Sequence, residues 1–184
     1  KLARFVGFEM RRIRRPEERY LLPLNRGTIE RLMYFRRMFE RVAAVRGDIV
    51  ECGVGKAKSF QMLALLLYES GQERTLWGFD SFAGYPETSP EDASPRNLKK
   101  GDWRVISAGE ARRILELTRL PEAFLRERVR IVPGFFEKTL AREPIGQIAL
   151  LHLDVNLYRS YLTCLREFFP KVVRGGVVLF DEYM

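Results

Sequence analysis

Residues 47–59 read GDIVECGVGKAKS, and this segment decides the fold. Its Gly-Asp entry precedes a short apolar run at residues 49–50, as is typical of a buried parallel strand. Glu51 lies where that strand is predicted to end. Gly53 and Gly55 allow the backbone to turn tightly and to approach a ligand. The segment therefore predicts a buried strand that leads into a glycine turn.

A helix is predicted over residues 60–67, and Ser59 is expected to cap its first turn. In open α/β sheets, ligands bind beyond the carboxyl ends of the strands, where the strand order reverses. An acid and two glycines at such a turn suit a cofactor that contains a nucleoside, although glycine-rich turns are also common without one. The segment thus indicates an α/β fold with a candidate cofactor site.

The rest of the chain alternates strands with helices. Apolar runs predict four further strands, over residues 75–80, 128–132, 147–154 and 175–182. Helical spacing and capping signals predict further helices over residues 28–46, 107–120 and 158–169. Residues 81–101 contain three prolines and predict a long loop, of the kind that often forms a lid. The alternation implies a doubly wound, mostly parallel sheet.

Four of the five predicted strands end on acids, which are Glu51, Asp80, Asp154 and the pair Asp181-Glu182. The carboxyl ends of parallel strands share one edge, so these carboxylates should repel one another unless a cation or polar ligand neutralises them. The repulsion should raise the pKa of at least one of them. Asp80, which ends the second strand, suits paired ribose hydroxyls, although an acid there can also simply cap a turn.

The net charge of +8 is confined to one part of the chain. Residues 1–46 contain 13 Lys and Arg residues against 5 Asp and Glu residues, whereas residues 47–184 contain 19 of each. We therefore expect a basic N-terminal helical extension over residues 1–46 and one α/β domain over residues 47–184. The extension could contact nucleic acid or another anionic surface, or its charges could simply face water.

Composition limits the remaining classes. No apolar run approaches the ~20 residues that span a bilayer, so we expect no membrane association and a cytoplasmic protein. Cys52 and Cys164 lie in apolar contexts and are expected to be buried, reduced thiols rather than a disulfide. His152 lies on the fourth strand, where a packed core residue is favoured over a functional one.

The sequence resembles the macrocin O-methyltransferase family at residues 47–54 (GDIVECGV) and again at residues 78–87 (GFDSFAGYPE). Further motifs follow in the family's order at residues 132–140, 151–158 and 175–183. Those enzymes depend on magnesium and use S-adenosylmethionine to methylate sugar hydroxyls of macrolides and related natural products. The resemblance therefore implies a Rossmann-like methyltransferase sheet and a small, sugar-like hydroxyl substrate. It makes nucleic acid an unexpected partner and leaves a homo-oligomeric state open.

Residue roles follow from the resemblance position by position. The cofactor-binding set that it implies is Glu51, Gly53, Val54, Gly55, Ser59, Asp80, Ser81 and Phe82. Asp154, Asp181 and Glu182 match the family's metal-holding acids, and hard oxygen ligands suit Mg²⁺. Asp154 is also expected to act as the catalytic base or to orient that base.

The chain departs from the family pattern at three places. Ala57-Lys58 stands where relatives usually have two glycines, and Asn156 replaces a second aspartate. The pattern also continues past Met184, so the domain is expected to lack a C-terminal strand pair. Two alternatives therefore stay open, a nucleic-acid methyltransferase that uses the basic extension and a catalytically inactive relative that binds the cofactor.

Overall fold

Five parallel strands form one sheet in the computed structural model, which describes residues 21–181. The strands are β1 (Asp48–Cys52), β2 (Leu76–Asp80), β3 (Val129–Pro133), β4 (Ile148–Leu153) and β5 (Val172–Phe180). Their order across the sheet is β3-β2-β1-β4-β5, so the chain steps outward from β1 and then returns to its other side. The doubly wound α/β prediction is confirmed. The strand order reverses between β1 and β4, which is where such sheets bind ligands.

Helices cover both faces of this sheet. They are α1 (Arg26–Arg41), α2 (Lys58–Ser70), α3 (Ala108–Leu117), α4 (Glu122–Arg128), α5 (Phe136–Thr139) and α6 (Tyr158–Phe168). One core cluster joins α1, α2 and α3 to the sheet and contains Phe35, Phe60 and Ile114. The other contains Phe79 and Phe168 and packs α6 on the opposite face. Neighbouring strand residues alternate between the two clusters, as a sheet buried on both faces requires.

The first helix starts and ends earlier than predicted. Asn25 is its N-cap and shares a capping box with Thr28, so Thr28 lies inside the first turn rather than before it. The helix ends at Arg41 instead of continuing to Gly47. The guanidinium of Arg74 donates hydrogen bonds to the carbonyl oxygens of Val42, Ala43 and Gly47 and stabilises the chain after the helix. The predicted boundary missed this contact because Arg74 lies about thirty residues further along the sequence.

The expected cap at Ser59 is wrong. Helix α2 begins at Lys58, and its N-cap is Ala57, whose φ of 57° is left-handed. The Ala57 N–H donates to the Val54 carbonyl over 2.7 Å, so the turn closes before Ser59 is reached. Ser59 is already helical and buried, and therefore it cannot accept the cap hydrogen bonds.

Smaller differences concern the other elements. Strand β5 starts at Val172 rather than at Gly175, and its register with β4 shifts between Ile148 and Leu150. Helix α3 ends at Leu117 rather than at Leu120, and the short helices α4 and α5 were not predicted. Both cysteines are buried and free, as expected, and burial is the main cause that raises the pKa of Cys52. Within residues 21–181, none of the helices combines the length and apolar character needed to cross a membrane.

Candidate active site

A cavity of about 310 Å³ opens at the carboxyl ends of β1, β2, β4 and β5. The predicted site residues that line it are Gly53, Val54, Gly55, Ser59, Asp80, Ser81, Asp154 and Asp181. Two others, Glu51 and Phe82, do not line it, and Glu182 lies outside the described residues. The structure thus brings the two predicted groups, the glycine turn and the acids, to one cavity.

The turn after β1 is held by close backbone contacts. Gly53 has a φ of 96°, and a Cβ placed on it would lie 2.0 Å from the carbonyl oxygen of Asp154. Apart from its neighbours in the chain, no heavy atom among the described residues would lie within 4 Å of a Cβ on Gly55, which faces the cavity. Gly53 is therefore needed for packing against the end of β4, whereas Gly55 leaves open space on the side of the cavity.

Asp80 is fixed by two backbone donors. Its Oδ2 accepts a hydrogen bond from Gly55 N–H over 2.9 Å, and its Oδ1 accepts one from Phe82 N–H over 2.7 Å. Phe82 contributes this amide from a left-handed residue with a φ of 49°, while its side chain packs against the core. Each carboxylate oxygen retains acceptor capacity, so the geometry suits two neighbouring hydroxyl donors.

Glu51 and His152 form a buried pair behind the cavity. They are register partners on β1 and β4, and His152 Nδ1 lies 2.9 Å from Glu51 Oε1. His152 Nε2 lies 3.5 Å from Asp181 Oδ1. Burial by itself lowers the pKa of His152, but the carboxylates of Asp181 and Glu51 outweigh it and raise the pKa to about 9. The expectation that His152 only packs in the core is therefore incomplete, because its two ring nitrogens face the carboxylates of Glu51 and Asp181.

Asp154 is the carboxylate whose pKa is raised by the repulsion that the sequence predicted. Burial and the nearby charges of Glu51 and Asp181 raise its pKa to about 7, although His152 and Arg31 partly oppose them. Asp181 behaves in the opposite way, since its hydrogen bond with His152 lowers its pKa. The two acids of one cluster therefore differ in proton affinity, and Asp154 is the one suited to exchange a proton near neutral pH.

The carboxylate oxygens of this cluster fit a hard divalent cation. Ligand atoms of Glu51, His152 and Asp154 all lie within 4.8 Å of one another. No donor among the described residues reaches the buried Oε2 of Glu51, which leaves a carboxylate oxygen without a partner. Carboxylate oxygens are what Mg²⁺ prefers. The predicted ligand Asp181 lies next to this cluster, because its Oδ1 is 3.5 Å from His152 Nε2.

Arg31 and several aromatic residues also line the cavity and were missed by the sequence reasoning. Arg31 projects from α1 and forms an ion pair with Asp181, and its Nη2 lies 3.8 Å from Asp154 Oδ2. The aromatic residues that line the cavity are Tyr85, Trp103, Phe135 and Phe136. Tyr85 lies in the predicted loop over residues 81–101, and such loops often border sites. Phe135 and Phe136 lie in the family motif at residues 132–140, whereas Trp103 lies just beyond the predicted loop.

That loop is tied down on the far side of the cavity. Asp92 Oδ1 accepts a hydrogen bond from Tyr158 N–H over 2.7 Å and so caps α6 from a distant part of the sequence. Lys56 Nζ lies 5.6 Å from the ring centroid of Trp103 and joins the glycine turn to the end of the loop. The loop therefore bridges the β1 and β4 sides of the cavity.

The two sequence departures within this site have different surroundings. Ala57 is fully buried in the core cluster around α2 and does not line the cavity. Its methyl group therefore does not enter the cavity, whereas Lys58, the other residue of that departure, lines it. Asn156 does line the cavity, beside Val155 and Leu157.

Comparisons with known proteins agree with this arrangement. The family model described as macrocin-O-methyltransferase (TylF) matches residues 26–184. A demethyldecarbamoylnovobiocin O-methyltransferase from Streptomyces niveus is 35% identical over 163 residues, which are 85% of this chain and 61% of that protein. An 8-demethyl-8-(2,3-dimethoxy-alpha-L-rhamnosyl)-tetracenomycin-C 4'-O-methyltransferase from Streptomyces olivaceus is 32% identical over 160 residues, 84% of this chain and 60% of that protein.

The fold comparison gives the same relationship. The structure of the O-methyltransferase NovP superimposes with a TM-score of 0.71 at 34% identity and covers 85% of this chain and 66% of that one. The chain spans about three fifths of the length of the two curated relatives.

Proposed function

The chain belongs to the macrocin O-methyltransferase family, and from that premise we propose that it transfers a methyl group from S-adenosylmethionine to a hydroxyl of a sugar or other small polyol, with the help of Mg²⁺. One observation carries the proposal: a carboxylate suited to a diol and a cluster of acids suited to a cation border one cavity. Neither feature alone would distinguish this reaction from other cofactor-binding folds.

The cofactor would lie along the ends of β1 and β2. We assign its ribose to Asp80, whose oxygens are aimed by the amides of Gly55 and Phe82. Gly53, Val54 and Gly55 would line its methionine portion, with Ser59 and Ser81 beside it. Glu51 does not line the cavity, and its carboxylate is turned toward His152 at the acid cluster instead of toward the cofactor. When bound, S-adenosylmethionine supplies the electrophilic methyl group.

The metal would be held at the ends of β4 and β5. We assign Asp154 and Asp181 to it, with Glu182 as the remaining family position and the unpartnered oxygen of Glu51 as an additional donor. When bound, Mg²⁺ lowers the pKa of a coordinated hydroxyl. Asp154 would accept the proton from the acceptor hydroxyl or orient the group that does, because it lines the cavity where the acceptor and the cofactor would meet.

The acceptor would occupy the part of the cavity between the acids and the aromatic side chains. Tyr85 and Trp103 provide apolar faces on the loop side, and Phe135 and Phe136 provide them beside β3. Such faces suit the carbon side of a sugar ring or of an attached aglycone. One of the relatives named above is by its name a methyltransferase of a rhamnosyl-bearing compound, which favours a sugar over a nucleic acid.

A direct test is methyl transfer to a panel of glycosylated natural products and free deoxysugars, followed by mass spectrometry. We expect a singly methylated product that requires S-adenosylmethionine, disappears with EDTA and returns with Mg²⁺. S-adenosylhomocysteine binding without methylation of any hydroxyl acceptor would favour the inactive-relative alternative. Methylation of RNA or DNA in the same assay would favour the other alternative.

A further inference from the structure

Arg31 lies among the acids assigned to the metal, although it comes from the helix that the sequence assigned to a basic extension. Its Nη2 contacts Asp181 Oδ1 and lies 3.8 Å from Asp154 Oδ2. The Arg31 side chain retains 38% exposure, against 29% for Asp154 and 27% for Asp181. The guanidinium therefore approaches half-buried carboxylates from the solvent side of the cavity.

Buried rings set the direction of this arginine. The guanidinium carbon of Arg31 lies 5.6 Å from the ring centroid of Phe35, one turn further along α1. Phe35 is only 1% exposed, and its ring meets His152 edge-on with centroids 5.2 Å apart. A cation over a buried aromatic face is held by the ring as well as by its ion pairs. The position of Arg31 is thus built into the packing of α1 against β4.

We propose that Arg31 is an internal counter-cation that competes with the divalent metal for Asp154 and Asp181. The inference rests on the metal assignment in the proposed function. A guanidinium stays protonated at any working pH, so it cannot leave these oxygens by losing its charge. Metal binding must therefore move Arg31 away from Asp181 or share that carboxylate with it. Either way, the contacts of the Arg31 side chain and metal affinity are coupled.

The proposal predicts a gain of metal affinity when the arginine is removed. A titration with Mn²⁺ alone, followed by electron paramagnetic resonance of the free ion, would compare wild type with Arg31→Gln. We expect the variant to bind Mn²⁺ about tenfold more tightly, because one positive charge a few ångströms from the ion has been removed. Arg31→Lys should shift the affinity in the same direction but less, because an ammonium lacks the fork that reaches two carboxylates.

Arg36→Gln is the matched control. Arg36 lies on the same helix, and its Nε pairs with Glu40 Oε1 over 3.0 Å at an exposed position. The substitution removes the same charge from α1, so Mn²⁺ affinity should stay at the wild-type value. As a second readout, Arg31→Gln should lower the melting temperature of the metal-free protein and show a larger rise with Mg²⁺ than wild type. Arg36→Gln should do neither, since exposed i,i+4 pairs contribute little.

The outcomes separate this inference from the function on which it rests. Equal or weaker Mn²⁺ affinity in Arg31→Gln and Arg31→Lys would overturn the competition and leave the metal assignment in place. Absence of Mn²⁺ binding in all variants, with S-adenosylhomocysteine still bound, would overturn the metal assignment and this inference with it. If Arg36→Gln also bound Mn²⁺ more tightly, the gain in affinity would come from the lower net charge of the protein. That result would also overturn the specific role of Arg31.

Discussion

The two sides of the cavity hold their carboxylates by different means. On the β2 side, Asp80 is held by the amides of Gly55 and Phe82, which belong to the turns that form the site. On the β4 and β5 side, Asp154 and Asp181 meet the side chains of His152 and Arg31. Backbone donors stay in place for as long as the turn is folded. Side-chain cations can rotate away when another cation arrives.

This difference shows what each side is built to do. A carboxylate fixed by amides presents the same two acceptors before and after ligand binding, and such preorganisation favours a neutral polar ligand. Acids that repel each other and are paired with movable side-chain cations are stabilised further when another cation binds. The contrast predicts that substitutions on one side leave the function of the other side largely intact.

The largest effect is expected from Asp154→Asn. Methyl transfer should fall at least about 100-fold. The acceptor hydroxyl would lose its proton acceptor and the metal would lose one of its ligands, and such contributions reach several kcal/mol. Steady-state kinetics with saturating S-adenosylmethionine would measure the loss. Calorimetry should show a Kd for S-adenosylhomocysteine within about twofold of wild type, a difference of about 0.4 kcal/mol. A parallel loss of cofactor binding would break the proposed independence of the two sides.

Asp80→Ala should have the complementary effect. Cofactor affinity should decrease by about 1.5–3 kcal/mol, the usual contribution of hydrogen bonds to a charged group. Calorimetric titration with S-adenosylhomocysteine measures this change directly. The rise in melting temperature with Mg²⁺ should persist, because Asp80 takes no part in the acid cluster. Unchanged cofactor affinity would show that Asp80 only closes the turn.

Asp181→Asn should abolish the thermal response to metal. In wild type, Mg²⁺ at ten times its Kd would add about 1.4 kcal/mol by linkage, which corresponds to a rise of about 3–6 °C. Differential scanning fluorimetry with Mg²⁺ and with an equal ionic strength of NaCl distinguishes binding from screening. If the variant kept the full response, Asp181 would belong to the Arg31 ion pair rather than to the metal site.

Ala57→Gly is expected to change least. Relief of the left-handed strain contributes about 1–2 kcal/mol, and the extra freedom of glycine in the unfolded chain offsets about 0.4–1 kcal/mol. Loss of a buried methyl group offsets about 0.8 kcal/mol more. The net change in urea-induced unfolding should therefore stay within about 1 kcal/mol, with unaltered cofactor affinity. Destabilisation beyond about 2 kcal/mol would show that the side chain, rather than the backbone, holds this turn.

The sequence allowed the sheet and its acidic edge to be predicted because both depend on local patterns. Apolar runs that end on Asp80, Asp154 and Asp181 are visible without any tertiary information, and parallel strands necessarily bring such ends together. Side-chain partners were not predictable in this way. Arg31 is one of several arginines at helical spacing on α1, and only the packing of Phe35 against His152 shows which arginine turns toward the acids.

Boundaries failed where a distant or strained residue decides them. Ser59 has the composition of a cap, yet the turn closes at Ala57 in a conformation that alanine rarely adopts. The cap of α6 comes from Asp92, which lies 66 positions from Tyr158, so no local window could contain both partners. Short helices such as α4 lack the length over which helical periodicity becomes visible.

The contact of Gly53 with the end of β4 has a consequence for how such proteins diverge. Any side chain at position 53 would collide with the backbone of Asp154, so the glycine is required for folding whether or not the protein retains its chemistry. Asp80 accepts hydrogen bonds from the two turn amides, but no close steric contact demands an aspartate there once a cofactor no longer binds. In a lineage that abandons methyl transfer, the glycine should outlast the aspartate. A descendant that keeps Gly53 and has lost Asp80 would therefore indicate a protein that has lost the activity and kept the fold.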